Sequence, residues 1–205
     1  MPTDDFFFDF REVDVFGSEI DALVISVYKT TIAGIEVLDK QERTSFKARG
    51  IDSDPEVQQE IRCWDRQIQA MKYHAGNMGL VSLVLLFDDW LAYKHEKVFR
   101  GKSNACEWRS RFEQIAERLP PGPLPLPELE DMVTARNSII HHRGEPTFKN
   151  QYEKEKEVNE RFLGEDEDGK IRVAIEEPLL TVLASKLTSH VDFWNGQKSK
   201  QESGL

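Results

Sequence analysis

Cysteine is scarce in this chain, whose 205 residues contain only Cys63 and Cys106. The two lie far apart and form neither a CxxC pair nor a cysteine–histidine spacing, which argues against a disulfide framework and a zinc site. We expect both to be reduced thiols in the core of a cytoplasmic protein. The sequence also lacks a Walker A loop and a GxGxxG pattern, so the common phosphate-cradling motifs are absent.

Positively charged residues are fewer than negatively charged ones. The chain has 27 Lys and Arg and 37 Asp and Glu, which gives a net charge of −10. Such a protein gains nothing from long-range attraction to nucleic acid, so any RNA contact must rely on a local basic patch. The longest apolar run, residues 80–87, is interrupted by Ser82, whereas a membrane-spanning helix takes about 20 residues. Because the N-terminus is acidic, unlike a signal peptide, we expect a cytoplasmic protein with no membrane partner.

Helical periodicity dominates what is present. Residues 18–46 repeat apolar side chains at helical spacing, with Ser18 as the expected N-cap. Asp54 and Pro55 then mark the cap and first position of a second helix. Its apolar residues follow at alternating spacings of four and three, which is a heptad-like pattern. We call these residues the heptad seam: Val57, Ile61, Trp64, Ile68, Met71, Ala75 and Met78.

The second helix changes character after the heptad seam. Residues 80–87 are apolar on all sides, as in a centrally buried helix, and Gly76 and Gly79 mark a place where the helix is expected to bend. A third helix is predicted over 104–119. Five prolines and a glycine in the connector 120–127 exclude helix there.

The whole pattern predicts an all-α, up-and-down bundle of about five helices in one domain spanning residues 1–196. Residues 1–17 carry the aromatic stretch FFFDFREVDVF and form an arm expected to dock on the core. The motif helix is predicted to begin at Glu128, and a last helix covers 179–194. The other parts are a charged insertion at 145–170, a short β-hairpin near 160–176 and a flexible tail at 197–205.

The most reactive side chains are concentrated in residues 136–144, which read RNSIIHHRG. On a helical wheel Arg136 falls in the middle of the apolar stripe, and Arg143 lies on the same line two turns later. Asn137 and His141 share a second face, since residues four apart are neighbours on a helix. A buried arginine needs a partner, and histidine exchanges a proton most easily near neutral pH.

A purely structural explanation of these residues is also open. Arg136 could pack its stem on apolar neighbours and pair with an acid, and either histidine could make a structural hydrogen bond. His141 and His142 point about 100° apart and would chelate a metal poorly, so no metal and no cofactor are expected. His74 and His95 lack carboxylate partners at metal-ligand spacing and are expected to be structural or exposed.

The motif resembles the signature of the HEPN superfamily, the higher eukaryotes and prokaryotes nucleotide-binding domain. That signature is an arginine, commonly followed by a polar residue, and a histidine after four to six positions. Arg136, Asn137 and His141, followed by Gly144, fit this pattern, and His142 fits it as well. The resemblance implies a helical bundle that dimerises, with the two motif helices facing each other across a cleft. Many such domains are metal-independent endoribonucleases of toxin–antitoxin or antiviral systems.

These residue types suit RNA cleavage, because RNA carries its own nucleophile in the 2′-OH. A neutral His141 would remove that proton, and a protonated histidine of a partner chain would protonate the leaving 5′-oxygen. Arg136 would stabilise the charge that builds on the phosphate oxygens. The products would be a 2′,3′-cyclic phosphate and a 5′-hydroxyl end. The residues expected to support catalysis or bind substrate are Asn137, Ser138, His142 and Arg143.

Two other functions stay open. One is a non-catalytic HEPN-like module that binds nucleotide, RNA or a partner protein, which the net charge of −10 favours. The other is an unrelated helical scaffold that assembles through the heptad seam. Under the ribonuclease hypothesis the expected partners are a second copy of the chain, an RNA substrate and an antitoxin or another product of a neighbouring gene.

Overall fold

A computed structural model describes residues 20–49, 54–100, 107–146, 158–165 and 169–197. These residues form an all-α bundle with a small β-hairpin, which confirms the predicted fold class. In chain order the elements are α1 (Ile20–Ala48), α2 (Pro55–Phe99), α3 (Trp108–Arg118), α4 (Leu126–His142), a 3-10 turn (Glu160–Phe162), β1 (Leu163–Glu165), β2 (Ile171–Val173) and α5 (Glu177–Asn195).

Several predicted features lie outside the described residues. These are the arm at 1–17 with the expected cap Ser18, most of the charged insertion at 145–170, and the tail beyond residue 197. Cys106 lies outside them too. Cys63 is exposed on α2, so the expectation of a core thiol is wrong there. Its position is about 120–140° around the helix from the inward-facing Val57 and Ile68.

The helix boundaries follow their local signals. The Asp54 carboxylate accepts a hydrogen bond from the Glu56 N–H at 2.9 Å, and Pro55 opens α2, as predicted. α4 begins two residues earlier than expected, at Leu126. Pro127 is tolerated in the first turn because its missing N–H would have had no partner inside the helix.

α2 is the central helix of the bundle. Leu80 and Leu83 are fully buried and Phe87 is 1% exposed, which confirms a buried segment. Leu85 breaks this pattern, because 45% of its surface is exposed. By length and composition α2 also passes a test for a membrane span, with a mean hydropathy of 1.3 over 18 residues, but 56% of that window is buried inside the bundle. Core helices of soluble proteins pass the same test, so the match is weak evidence.

The glycines of α2 allow close packing, and the helix continues through both of them. A Cβ atom on Gly76 would collide with the carbonyl oxygen of Ile175, and one on Gly79 would meet the side chain of Leu180 at 2.6 Å. These two glycines therefore let the segment that leads into α5 and the start of α5 approach α2 closely, and the expected bend stays a prediction. β1 and β2 pair antiparallel as the predicted hairpin.

Candidate functional site

The first turn of the motif helix α4 is anchored by Glu128. Its carboxylate accepts hydrogen bonds from Lys186 of α5 at 2.7 Å and from Arg161 at 3.0 Å. Burial raises the pKa of Glu128, but these two cations outweigh that effect and hold the pKa below its ordinary value. The start of α4 is thus tied to the last helix and to the turn that precedes the hairpin.

Arg136 is half-buried on α4 and lines a small cavity of about 30 Å³ together with Asp88 and Trp108. Its Nη1 donates a hydrogen bond to Oδ1 of the adjacent Asn137 at 2.8 Å. Its Nε is buried and has no hydrogen-bond partner among the described residues. Asp88 pairs with Arg111 at 2.7 Å. Asn137 therefore holds one edge of the Arg136 guanidinium.

The two histidines of the motif are exposed at the C-terminal end of α4. Their ring centroids lie 6.5 Å apart, with the planes at 71°. α4 stays helical through His142, and the left-handed residues Arg143 and Gly144 come after both histidines. His141 therefore lies about 140° around the helix from Arg136, so regular geometry directs the two side chains away from each other.

Ser138 closes the end of this helix. Its carbonyl accepts hydrogen bonds from the N–H groups of Arg143 and Gly144. Its hydroxyl donates to the carbonyl of Glu145 at 2.7 Å, and the residue is 2% exposed. Of the residues expected to support catalysis, Ser138 is therefore engaged in the fold, whereas His142 and Arg143 face solvent.

The turn after α4 is fixed to two other elements. The Gly144 carbonyl accepts from the Val173 N–H at 2.8 Å, and Arg172 donates to the Arg143 carbonyl at 3.1 Å. Gly144 has a φ of 80°, and a Cβ there would lie 2.6 Å from the Tyr73 hydroxyl oxygen. Glycine is favoured at this position chiefly because side chains rarely adopt positive φ, and a Cβ would in addition displace the Tyr73 hydroxyl.

A large apolar groove lies between α1 and α2, with a volume of about 780 Å³. Leu85 lines both this groove and the Arg136 cavity, so the two are neighbours on α2. Met71, Ala75 and Met78 of the heptad seam line it, whereas Val57 and Ile68 are buried. We call it the α1–α2 groove, and its lining is Leu23, Val24, Val27, Tyr28, Thr31, Ile35, Met71, His74, Ala75, Met78, Gly79, Ser82, Leu85 and Leu86.

His190 of α5 is a chemically notable residue that the sequence patterns did not single out. It is fully buried, and its Nδ1 accepts a hydrogen bond from the Leu124 N–H at 3.1 Å. Burial lowers the pKa of His190 to about 4. The available signal was its position on the apolar stripe, three residues after Leu187 and four before Trp194. The other two histidines fit expectation, since His95 is buried against Gln114 and His74 is exposed.

No three His, Cys, Asp or Glu side chains come together as a metal site among the residues that the structure describes. The chain matches no protein-family model, no curated protein and no solved structure. The chemistry available to the site therefore rests on its own side chains: a half-buried arginine held by an amide, and two exposed histidines at the end of the same helix.

Proposed function

We propose that the protein is a metal-independent endoribonuclease of HEPN type that acts in the cytoplasm. The observation that carries this proposal is the arrangement on α4. Arg136 has one edge of its guanidinium held by Asn137 at 2.8 Å, while His141 and His142 are exposed one to two turns later. A fixed guanidinium and accessible imidazoles are the groups that metal-free cleavage of a phosphodiester requires.

The reaction proceeds by attack of the ribose 2′-OH on the adjacent phosphorus. One histidine removes the 2′-OH proton, and a second, protonated histidine donates a proton to the departing 5′-oxygen. Arg136 donates hydrogen bonds to the phosphate oxygens as negative charge accumulates on them. The bond to the 5′-oxygen breaks, which leaves a 2′,3′-cyclic phosphate on one product and a 5′-hydroxyl on the other.

A second copy of the chain completes this site. Arg136 and His141 lie on different faces of a regular helix, so a single α4 does not offer both groups to one phosphate. Two α4 helices facing each other across a two-fold axis would combine the arginine of one protomer with a histidine of the other. An antitoxin or another neighbouring-gene product would restrain such an activity.

The test is an RNA-cleavage assay on purified protein in EDTA. Wild type is expected to cut single-stranded RNA, to leave DNA of the same sequence intact and to yield cyclic-phosphate ends. His141→Ala should reduce the rate by about 10²–10⁴-fold, the usual contribution of a general acid or base. Arg136→Lys keeps the charge but loses the planar fork of donors, and should reduce the rate similarly.

Matched controls separate loss of chemistry from loss of fold. His74→Ala and Arg62→Ala alter exposed residues on α2 and should cut RNA like wild type. His142→Ala decides which histidine acts, because the larger loss identifies it. If Arg136→Lys and both single histidine variants cut RNA at the wild-type rate, the ribonuclease proposal is wrong.

A second candidate function is a non-catalytic module that binds nucleotide or RNA. It is favoured by the net charge of −10 and by the bond that already occupies one edge of the Arg136 guanidinium. This function predicts RNA or nucleotide binding that Arg136→Lys weakens, with no cleavage at any enzyme concentration. A cyclic-phosphate product whose formation depends on a motif histidine excludes it.

A further inference from the structure

The α1–α2 groove leaves large apolar side chains uncovered on both of its walls. Val27 and Leu23 of α1 are 58% and 51% exposed, and Met78 of α2 is 57% exposed. Of the described residues that line the groove, none is an Asp, Glu, Lys or Arg. Contiguous apolar surface of this kind marks a binding site, since soluble proteins seldom leave it open to water.

We propose that this groove is the docking site of the chain's own residues 1–19. The segment joins α1 at Ile20, which is buried at 4% exposure, and the groove begins less than one turn later at Leu23. The attachment point is therefore fixed beside the groove. This inference does not depend on the proposed ribonuclease activity.

The composition of the segment matches the groove. Seven of the eleven residues from 6 to 16 are Phe or Val. Asp9 lies between two phenylalanines, and Asp14 lies between two valines. Side chains alternate between the two sides of an extended chain, so apolar groups can enter the groove at these places while the carboxylates stay in water.

The length of the segment is also sufficient. The groove follows α1 from Leu23 to Ile35, which is about 18 Å at 1.5 Å per residue. An extended chain covers that distance with about six residues at 3.3 Å each. Residues 1–19 can therefore turn back at the start of α1 and still run the full length of the groove.

Covalent linkage favours this occupant over a second copy of the chain. A short flexible tether holds a segment at an effective concentration on the order of millimolar. A second copy, present at micromolar concentration, must overcome that difference before it can displace the segment. The groove is therefore filled within one chain first.

Cysteine cross-linking in the full-length chain tests the proposal. In a background with Cys63→Ser and Cys106→Ser, Phe10→Cys is combined with Met78→Cys in the groove. The matched control combines Phe10→Cys with Ala33→Cys, an exposed position on α1 about 160° around the helix from the groove residue Thr31. Both positions are within reach of residue 10, so an undocked segment would react with both at similar rates.

The expected result is an intramolecular cross-link that forms about 10-fold faster with Met78→Cys than with Ala33→Cys and does not depend on protein concentration. Circular dichroism confirms that each variant is folded. Equal rates for the two pairs would overturn the proposal. A predominantly intermolecular product with Met78→Cys would also overturn it and would identify a second copy as the occupant.

A second measurement keeps the test independent of the cysteine variants. Phe6→Ser, Phe8→Ser and Phe10→Ser together should leave the groove uncovered in the full chain. Fluorescence of a dye that binds exposed apolar surface should rise several-fold in this variant relative to wild type. Unchanged dye fluorescence, with helical content retained, would contradict docking of the segment.

Discussion

His190 is enclosed by aromatic rings from three helices. Phe112 of α3 stacks on it at a centroid distance of 5.4 Å, Trp194 of α5 lies at 4.2 Å, and Phe87 and Trp90 of α2 lie at 6.0 and 6.5 Å. Burial in this apolar setting disfavours the charged imidazolium and lowers the pKa to about 4. The neutral ring contributes packing and one acceptor to the fold, which is the opposite of the role proposed for His141.

This histidine makes stability depend on pH. Its pKa falls from 6.5 when exposed to about 4 in the fold, so the unfolded chain binds the extra proton between these values. Stability is therefore fully present above pH 6.5 and is lost as the pH falls toward 4. Between pH 7 and pH 5 the loss from this residue is about 2 kcal/mol in the free energy of unfolding. Urea denaturation at the two pH values measures it.

The matched variant is His190→Asn, which keeps an acceptor near the Leu124 N–H but does not titrate. It should lower stability at pH 7, yet its free energy of unfolding should change by about 2 kcal/mol less than wild type between pH 7 and pH 5. Carboxylates elsewhere titrate equally in both proteins and cancel in this comparison. An identical pH dependence of the two proteins would refute the assigned pKa.

Residue spacing alone predicts which side chains of α4 share a face, but not what each one contacts. The wheel placed Arg136 on the packing stripe, which agrees with its half-buried position. Its bond to Asn137 depends on the rotamers of two neighbouring residues, which periodicity does not encode. The burial of Ser138 depends on the turn at Glu145, which β2 holds from about 30 residues further along the chain.

At the scale of elements, two glycines of α2 lie where other parts of the chain pack directly against the helix. A methyl group at Gly76 would meet the Ile175 carbonyl oxygen, which belongs to the backbone and cannot rotate away. Gly34 of α1 is also within a helix, but among the described residues no neighbouring heavy atom lies within 4 Å of a Cβ built there. The same substitution should therefore have opposite effects at the two positions.

Gly76→Ala is expected to lower the free energy of unfolding by about 2–3 kcal/mol, because the backbone of the α5 approach must shift. Gly34→Ala should raise it by about 1 kcal/mol, because alanine is the better helix former. Chemical denaturation of both variants measures these changes. Stabilisation of similar size at both positions would show that helix propensity, rather than close approach, decides the effect at Gly76.

Local sequence patterns predicted the helices and strands well. They could not predict contacts between elements that lie far apart in the sequence. Asp54 with Pro55 fixed the start of α2, and the alternation around residue 173 fixed the hairpin strand. The exposure of Leu85 could not be predicted from the apolar run at residues 80–87. A helical wheel that is apolar on every side does not indicate which side of the helix faces solvent.

At the scale of the whole molecule, the proposed dimer makes a distinctive prediction about mixed protomers. If the arginine of one chain acts with His141 of the other, and His142 is the second proton carrier, a heterodimer of Arg136→Lys and His141→Ala contains one intact site out of two. Random mixing makes half of the dimers heterodimers, so co-expression should restore about a quarter of the wild-type rate. Each variant alone should remain nearly inactive in the same RNA-cleavage assay.

The control for this experiment is the double variant Arg136→Lys/His141→Ala co-expressed with wild type. Its heterodimer keeps one arginine and one histidine on the same chain, so neither composite site is intact. Activity should then come only from wild-type homodimers. No recovery in the mixture of single variants, although light scattering shows heterodimers, would contradict a site shared between chains.

The hydrogen bonds that hold the end of α4 can form only late in the synthesis of the chain. Gly144 is fixed by the backbone of Val173, and Asn77 donates to the carbonyl of the same Val173 at 3.0 Å. A ribosome makes residue 144 well before residue 173, so the histidine-bearing end of the helix has no anchor while the hairpin is still inside the exit tunnel. A nascent chain stalled at this point carries every proposed catalytic side chain without the support that positions them. Activity should therefore arise only after the hairpin has left the exit tunnel.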